Sequence, residues 1–302
     1  MNFTKKAVAG LATATAAVLL AAPPVHAAPS DVTTGYVVVD ADSGETKAKA
    51  NEHQKFRSAS LVKLLIAIDY LENLDGEAIP DEDRALLEPM LRSSNDDAAS
   101  VFWVRGGQQE IIERMVSKIG LTDTAPPPAE QPGVWGYTAV SAADVAKVYQ
   151  YILDDAAPEV RKFMLTNLRA HTQCAGDGFD QSFGIPSAVE EPGAVKQGWS
   201  GFGEGPEPGE ECEDSSDPAM TARVMASPEV QEARRIAPAE APLTARAATD
   251  IDLKRRAMHT TGTVDDDDKI IVLLTLEPEE TSWEQAAKTT TALTKLLDRT
   301  TN

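Results

Sequence analysis

The chain has 302 residues, with 48 acidic side chains against 28 Lys and Arg and a formal net charge of −20. A charge of that size argues against nucleic acid or an anionic membrane surface as partner, because both carry the same sign. The length suffices for one large domain or two lobes around a real core.

Met1 to Lys6 is a short basic stretch, and Ala7 to Ala22 is apolar and uncharged. Pro23 to Ala27 closes it, with Val25 and Ala27 at the positions a signal peptidase reads. A secretory signal over residues 1–27 is expected, since the apolar run is short for a membrane span. No cysteine follows that run, so no lipid attachment is expected. Cleavage would remove Lys5 and Lys6 and leave a charge of about −22. No later stretch is apolar enough to span a bilayer, so the mature chain, residues 28–302, is expected to be secreted, extracellular and monomeric, with no membrane anchor.

Gly35 to Asp40 is rich in β-branched residues, Asp42-Ser43-Gly44 is a turn signal, and Glu45 to Ala50 is a return strand. From Leu61 to Leu74, Leu64, Ala67, Ile68 and Leu71 recur at helical spacing. Further helices are predicted at Asp81–Glu88, ending or kinking at Pro89, then at Asp96–Val104 and at Gln108–Ile119, stopping at Gly120. Ala125 to Gly136 is rich in Pro and Gly and reads as a loop. Ser141 with Asp144 opens a helix running to Leu153, and Pro158–Leu168 is another.

Strand character returns at Gly193–Gly198, Ala257–Val264 and Ile270–Leu276, the last two joined by an acidic hairpin tip. Thr281 or Ser282 then caps a terminal helix with Ala286, Thr290, Leu293 and Leu297 on one face. The pattern predicts an α+β fold, an α/β-α sandwich. Both chain ends (31–59 and 188–302) form one antiparallel sheet with flanking helices, and residues 60–187 form an all-helical lobe. Residues 204–253 are an acidic insertion; its first part, with seven acids among Gly, Pro and Ser at 204–217, is expected to be loop-like. Cys174 and Cys212 form an even pair, expected to be a disulfide in an oxidising compartment, with two separate buried thiols as the alternative. Neither lies in a metal-binding pattern, so no metal and no cofactor are expected.

Ser60-Leu61-Val62-Lys63 carries the chemistry. A serine hydroxyl needs a neighbouring base to attack an acyl carbon. At helical spacing, residues three apart share a face, so Lys63 can reach the Ser60 oxygen. The same four letters also fit an ordinary capping serine and a solvated lysine.

Two later stretches make the difference. Phe56 to Lys63, then Ser93-Ser94-Asn95-Asp96-Asp97-Ala98-Ala99, then Lys196-Gln197-Gly198-Trp199 resemble, in order, the three motifs of class A β-lactamases and related penicillin-binding proteins. Registering on Ala98-Ala99 makes Ser94 the motif serine and puts Asp96 where that family has Asn; the shifted register Ser93-Ser94-Asn95 loses the Ala-Ala match. The resemblance implies Ser60 as nucleophile, Lys63, Ser94 and Lys196 in proton transfer, and the backbones of Ser60 and Trp199 as oxyanion hole. It implies substrate contacts at Asp96, Gln197 and Gly198. Gln197 replaces the family's hydroxyl residue, and an ionised Asp96 accepts but does not donate.

The family's deacylating Glu, in an E-x-x-L-N pattern, has no counterpart. Thr122 to Tyr137 holds a single Glu, Glu130, with no Leu-Asn after it, and Trp135 to Thr138 is expected to anchor that loop. The histidines at 53, 171 and 259 are scattered and offer no triad. The expected function is an exported serine acyl-hydrolase acting on β-lactams or D-amino-acid-terminated peptidoglycan peptides, with slow deacylation. The alternative is a weakly active or inactive wall-binding protein on the same fold.

Overall fold

The computed structural model describes residues 31–213, 226–239 and 250–301. The expected signal segment and parts of the acidic insertion lie outside them. Strands β1 (Thr33–Asp40) and β2 (Thr46–Ala50) open the chain as a hairpin. β5 (Pro192–Ser200), β6 (Arg256–Val264) and β7 (Lys269–Glu277) close the sheet in the order β2-β1-β7-β6-β5, all antiparallel. The two ends of the chain therefore share one sheet, and β5, which carries Lys196, is an edge strand.

β7 explains why Ile270 to Leu276 is a continuous apolar run. Its side chains alternate between faces, and both faces are covered. Ile270, Val272 and Leu274 join the core beneath the helical lobe with Val37 and Val39, whereas Ile271 and Leu273 pack with Val38, Val195 and Leu297. The second face is closed by the terminal helix, Trp283–Thr300, whose N-cap is Ser282, not Thr281: the Ser282 hydroxyl accepts from Gln285 N at 3.2 Å.

The helical lobe holds α1 (Val62–Asn73), α2 (Asp81–Arg92), α3 (Asp96–Arg105), α4 (Gln109–Ile119), α5 (Ala142–Gln150) and α6 (Pro158–Arg169). α2 runs through Pro89 instead of ending before it. Leu86, Leu87, Met90 and Leu91 are all buried, and continuing the helix keeps that apolar face in the core, which outweighs one lost backbone bond. Gly120 ends α4 in the left-handed conformation, as expected for a C-cap. Further short elements are β3 (Phe56–Arg57) paired with β4 (Ala139–Val140), and α7 (Ile185–Ala188). The β3–β4 pair ties the segment before Ser60 to the loop before α5, a link with no signal in either stretch alone.

The insertion is not loop throughout. Ser227 caps a helix, α8 (Pro228–Ile236), with Pro at its first turn, and the helix buries Val230 and Ala233 against α3. Arg234 Nε donates to Asp97 Oδ1 at 2.5 Å to fix it there. The pattern Ser-Pro followed by Val230 and Ala233 was a readable helix start, hidden by the acidic composition around it. The terminal helix, Trp283–Thr300, is α9.

Asp144, near the start of α5, gathers the other end of the Thr122–Tyr137 loop. Its carboxylate accepts from the backbone N–H of Thr122, Asp123 and Thr124 at 2.7–3.0 Å and from the Thr124 hydroxyl at 2.9 Å. Burial opposes its charge, but these donors outweigh it and hold the carboxyl below its ordinary value. The stability this gives is therefore present above the unfolded carboxyl pKa and lost as pH falls through the lower folded one. Asp144→Asn should cost about 2 kcal/mol at pH 7. Urea unfolding should show the deficit in full at pH 6 and shrinking below about pH 4.

Candidate active site

Ser60 lies in a 3-10 turn, Ala59–Leu61, that leads directly into α1. The turn is entered through Ala59 at φ +46°, a left-handed value that a non-glycine residue adopts at a cost of about 1–2 kcal/mol. Ser94 is held in the same region at φ +57°, in the link between α2 and α3. Both strained residues flank the same cluster, which is where backbone strain tends to be stored.

The cluster centres on Lys63, which is fully buried. Its Nζ donates to Ser60 Oγ at 2.7 Å, Ser94 O at 2.5 Å and Asp96 Oδ1 at 2.6 Å, and lies 3.2 Å from Ser94 Oγ. It also stands 4.8 Å over the ring of Trp135. Lys196, equally buried, reaches Ser94 Oγ at 2.8 Å from β5. Ser94 Oγ thus sits between the two lysines. Ser93 Oγ instead bonds Pro89 O at 3.0 Å, so of the two registers read in the sequence it is Ser94 that faces the cluster. Asn95 is withdrawn as the cap of α3, accepting from Ala98 N at 2.9 Å.

Electrostatics follow from that burial. Removal from water pushes the Lys63 ammonium down, and the charge and hydrogen bond of Asp96 oppose that push without cancelling it. Burial and the nearby Lys63 charge push Lys196 well below its ordinary value. Asp96 therefore does not stand clear for a substrate, as its motif position implied. Its carboxylate is committed to Lys63, although its side chain remains 41% exposed.

Gly198 brings β5 against the Ser60 turn. A Cβ there would lie 3.1 Å from both Ser58 O and Leu61 Cγ, so a side chain at this position would press the strand a few tenths of an ångström away from the turn. The contact sets β5 against the turn that holds Ser60. Gln197 departs from its expected role: its Nε2 donates to Phe183 O and, at 3.4 Å, to Gln181 O, neither of them in the Ser60 cluster. Its Oε1 is buried with no partner among the described residues.

Two features complete the site, and the sequence pointed to only part of each: the Cys174–Cys212 pairing and the loop anchor at Trp135 are as expected, their neighbours are not. The first is a small hairpin at 174–180, closed by the Cys174–Cys212 disulfide (Cα–Cα 5.4 Å) and by Ala175 N to Phe179 O at 2.9 Å. Its Gly176 N donates to Ser93 O at 2.7 Å, so the hairpin sits over the α2–α3 link. There it presents Asp177, whose Oδ2 accepts from Trp199 Nε1 at 2.9 Å. Burial and the charge of Asp96 raise the Asp177 carboxyl to about 6, against its N–H donors and Lys63. The sequence Gly-Asp-Gly signals only a turn. The second is the setting of Trp135, which anchors its loop as expected and does so through partners no motif marks: Nε1 meets Ser100 Oγ at 3.2 Å, and Ser100 Oγ donates to Ala237 O beyond α8 at 2.5 Å. Glu130 is exposed on that loop and is not among the partners of Lys63.

The histidines take no part. His259 is buried on β6, its Nε2 2.9 Å from Arg57 O, and burial lowers it to about 4. Among the described residues no group of three His, Cys, Asp or Glu is placed to hold a metal, and no helix is long and apolar enough to cross a membrane.

Residues 24–83, which include Ser60 and Lys63, match the family model described as the beta-lactamase enzyme family. The mycobacterial protein named "Putative lipoprotein LppW", in Mycobacterium tuberculosis and Mycobacterium bovis, is 35% identical over 180 residues. That alignment spans 58% of this chain and 56% of the length of LppW. Among solved structures, the chain resembles PBP-A at a TM-score of 0.59 and 14% identity, covering 90% of this chain and 91% of that one. It resembles a class A β-lactamase representative from Bacteroides cellulosilyticus at 0.58 and 13%, covering 89% and 92%. At such identities the likeness is one of fold, and it extends over nearly the whole chain.

Proposed function

We propose, for a chain that by its fold belongs to the serine β-lactamase and penicillin-binding-protein superfamily, that it is an exported serine acyl-hydrolase working through an acyl-enzyme on Ser60. The observation that carries this reading is the unbroken chain of contacts Ser60 Oγ–Lys63 Nζ–Ser94 Oγ–Lys196 Nζ, each link between 2.7 and 3.2 Å. In this reading Lys63, in its neutral form, takes the Ser60 proton as the hydroxyl attacks the acyl carbon. Ser94 passes a proton to the leaving group, and Lys196 stabilises the Ser94 oxygen. The backbone N–H groups of Ser60 and Trp199 receive the oxyanion. The substrate class is a β-lactam or a wall peptide ending in D-amino acids.

Release of the acyl group is the slow step. On the loop side Lys63 meets the Trp135 ring, and Glu130, the one glutamate of the Thr122–Tyr137 loop, is exposed and is not among the partners of Lys63, so that loop brings no glutamate to the cluster to activate the incoming water. Nitrocefin, a chromogenic cephalosporin, should therefore give a burst equal to the enzyme concentration and then a much slower steady rate. A linear trace without a burst would contradict this account of release. The second reading, a wall-binding protein of little or no activity, is favoured by one contact: the Asp96 carboxylate at 2.6 Å from Lys63 Nζ supports the ammonium form, which cannot act as base. A complete lack of reaction with nitrocefin and penicillin would favour it.

A further inference from the structure

α8 and the three residues after it lie against the loop that covers Lys63. Glu229, in the first turn of α8, accepts from Arg105 at the end of α3, Nε to Oε1 at 2.7 Å and Nη2 to Oε2 at 2.8 Å. Arg234, in the last turn, pairs with Asp97 in the first turn of α3. The two helices therefore run antiparallel with an ion pair at each end, and α8 buries Val230 and Ala233. This docking carries the chain across the loop before α5.

Two glycines of that loop mark the crossing. Neither Gly133 nor Gly136 has the positive φ that favours glycine. A Cβ on Gly133 would instead clash with the carbonyl of Ile236, and one on Gly136 would lie 2.8 Å from that of Ala239. Both obstacles are backbone atoms, so the missing side chains are what let the two segments meet.

Ser100 joins the two segments. Its hydroxyl, on a residue only 2% exposed, accepts from Trp135 Nε1 at 3.2 Å and donates to Ala237 O at 2.5 Å. The loop in turn rests on the nucleophile's turn. Ser58 N donates to Thr138 O at 2.7 Å, and the Trp135 ring stands 4.8 Å from Lys63 Nζ. Ser60, Lys63 and Trp135 are all buried.

We infer that α8 and residues 237–239 form a clamp that seals the Trp135 loop over Lys63 and keeps water from its amine, with Ser100 as the positioning residue between clamp and loop. The consequence for chemistry rests on the acyl-hydrolase reading, in which Lys63 is the base. Removal from water is the largest influence lowering Lys63, and only a neutral amine can take the Ser60 proton. The charged groups acting on Lys63 are Asp96 and Asp97 from α3 and Asp177 from the hairpin, with Lys196 from β5 beside them. Lifting the clamp would admit water and strip Asp97 of Arg234, and both changes favour the ammonium. Loss of the ring contact acts the other way, but it is the weaker effect beside full burial.

Three single variants of the full-length protein test the clamp while leaving those charged groups in place. Gly133→Ala drives a Cβ into the Ile236 carbonyl, Ser100→Ala cuts the join, and Glu229→Ala frees the far end of α8. Labelling of Ser60 by a fluorescent penicillin is followed as a second-order rate across the pH range that titrates a buried lysine. In Gly133→Ala and Ser100→Ala the acid limb should move up by about one pH unit, so that labelling on that limb falls about tenfold and returns to the wild-type rate at alkaline pH. Glu229→Ala should shift it the same way by less, with a loss of about twofold. Hydrogen exchange reads the seal without any chemistry: the amides of residues 134, 135, 137 and 138, each bonded within the loop, should exchange about tenfold faster in Gly133→Ala and Ser100→Ala. If Gly133→Ala does not fold, the other two variants decide the matter. An acid limb that stays in place or moves down, a loss of rate equal at every pH, or loop exchange no faster than in the wild type would overturn the inference. A wild-type protein that penicillin does not label would instead strike the acyl-hydrolase reading, and the exchange result alone would then judge the clamp.

Discussion

Lys63→Met should slow acylation of Ser60 by penicillin about a thousandfold, the scale of a lost general base. The rate is read as the second-order constant for covalent labelling. Lys63 Nζ is the atom that joins the Ser60 and Ser94 hydroxyls, and the other cation, Lys196, contacts Ser94 but not Ser60. The side chain is fully buried, so methionine replaces its length and volume in a site already shielded from water. The partner left behind, Asp96, is 41% exposed and can be solvated. The variant should therefore fold, as circular dichroism checks, and its defect should be one of chemistry. A variant that labels at the wild-type rate would remove Lys63 from the mechanism.

Asp96→Asn should act in the opposite direction and raise the labelling rate about a hundredfold at pH 7. Burial lowers the Lys63 pKa, and Asp96 is the largest influence opposing it. Without the carboxylate, burial acts with less opposition and more of the amine is neutral. A charge pair about 4 Å apart at an effective dielectric near 20 is worth roughly 4 kcal/mol, and water at the exposed Asp96 screens part of it. What is left after that screening, about 2.7 kcal/mol, is about a hundredfold in rate. The sign can be checked by pH. Labelling falls as pH drops through the Lys63 value, so the acid limb of the profile should move to lower pH in the Asn variant. If Asp96→Asn labels more slowly at every pH, the carboxylate is itself needed for catalysis and Lys63 is not restrained by it.

Much of this was legible in the chain because it rests on local spacing. Ser60 and Lys63 share a face by helical geometry alone, and they meet at 2.7 Å. The strands at both ends announce themselves by β-branched runs, whereas the register that pairs Val38 with Ile271 has no signal in runs that are apolar on both faces. Pro89 misled because a proline's local preference is weak against four buried neighbours on the same helix. The α8 helix was hidden by acidic surroundings, although its capping Ser227 and Pro228 follow the usual order.

The site's departures were harder to see because they depend on contacts far apart in sequence. Asp96 differs from the motif by one letter, yet its consequence, a carboxylate bonded to Lys63, appears only once α1 and α3 are packed. Asp177 carries no motif at all. It enters the site because Cys174 meets Cys212 across 38 residues and folds a turn over Ser93. Gln197 likewise reads as a substitution in a strand motif, but which way its amide points is settled by Phe183, 14 residues earlier.

The most direct measurement of the central claim is intact-mass spectrometry of the mature protein after incubation with a fluorescent penicillin. One covalent equivalent is expected, mapped to the peptide containing Ser60 and absent from Ser60→Ala. An unlabelled wild-type protein after long incubation, or equal labelling of Ser60→Ala, would contradict it.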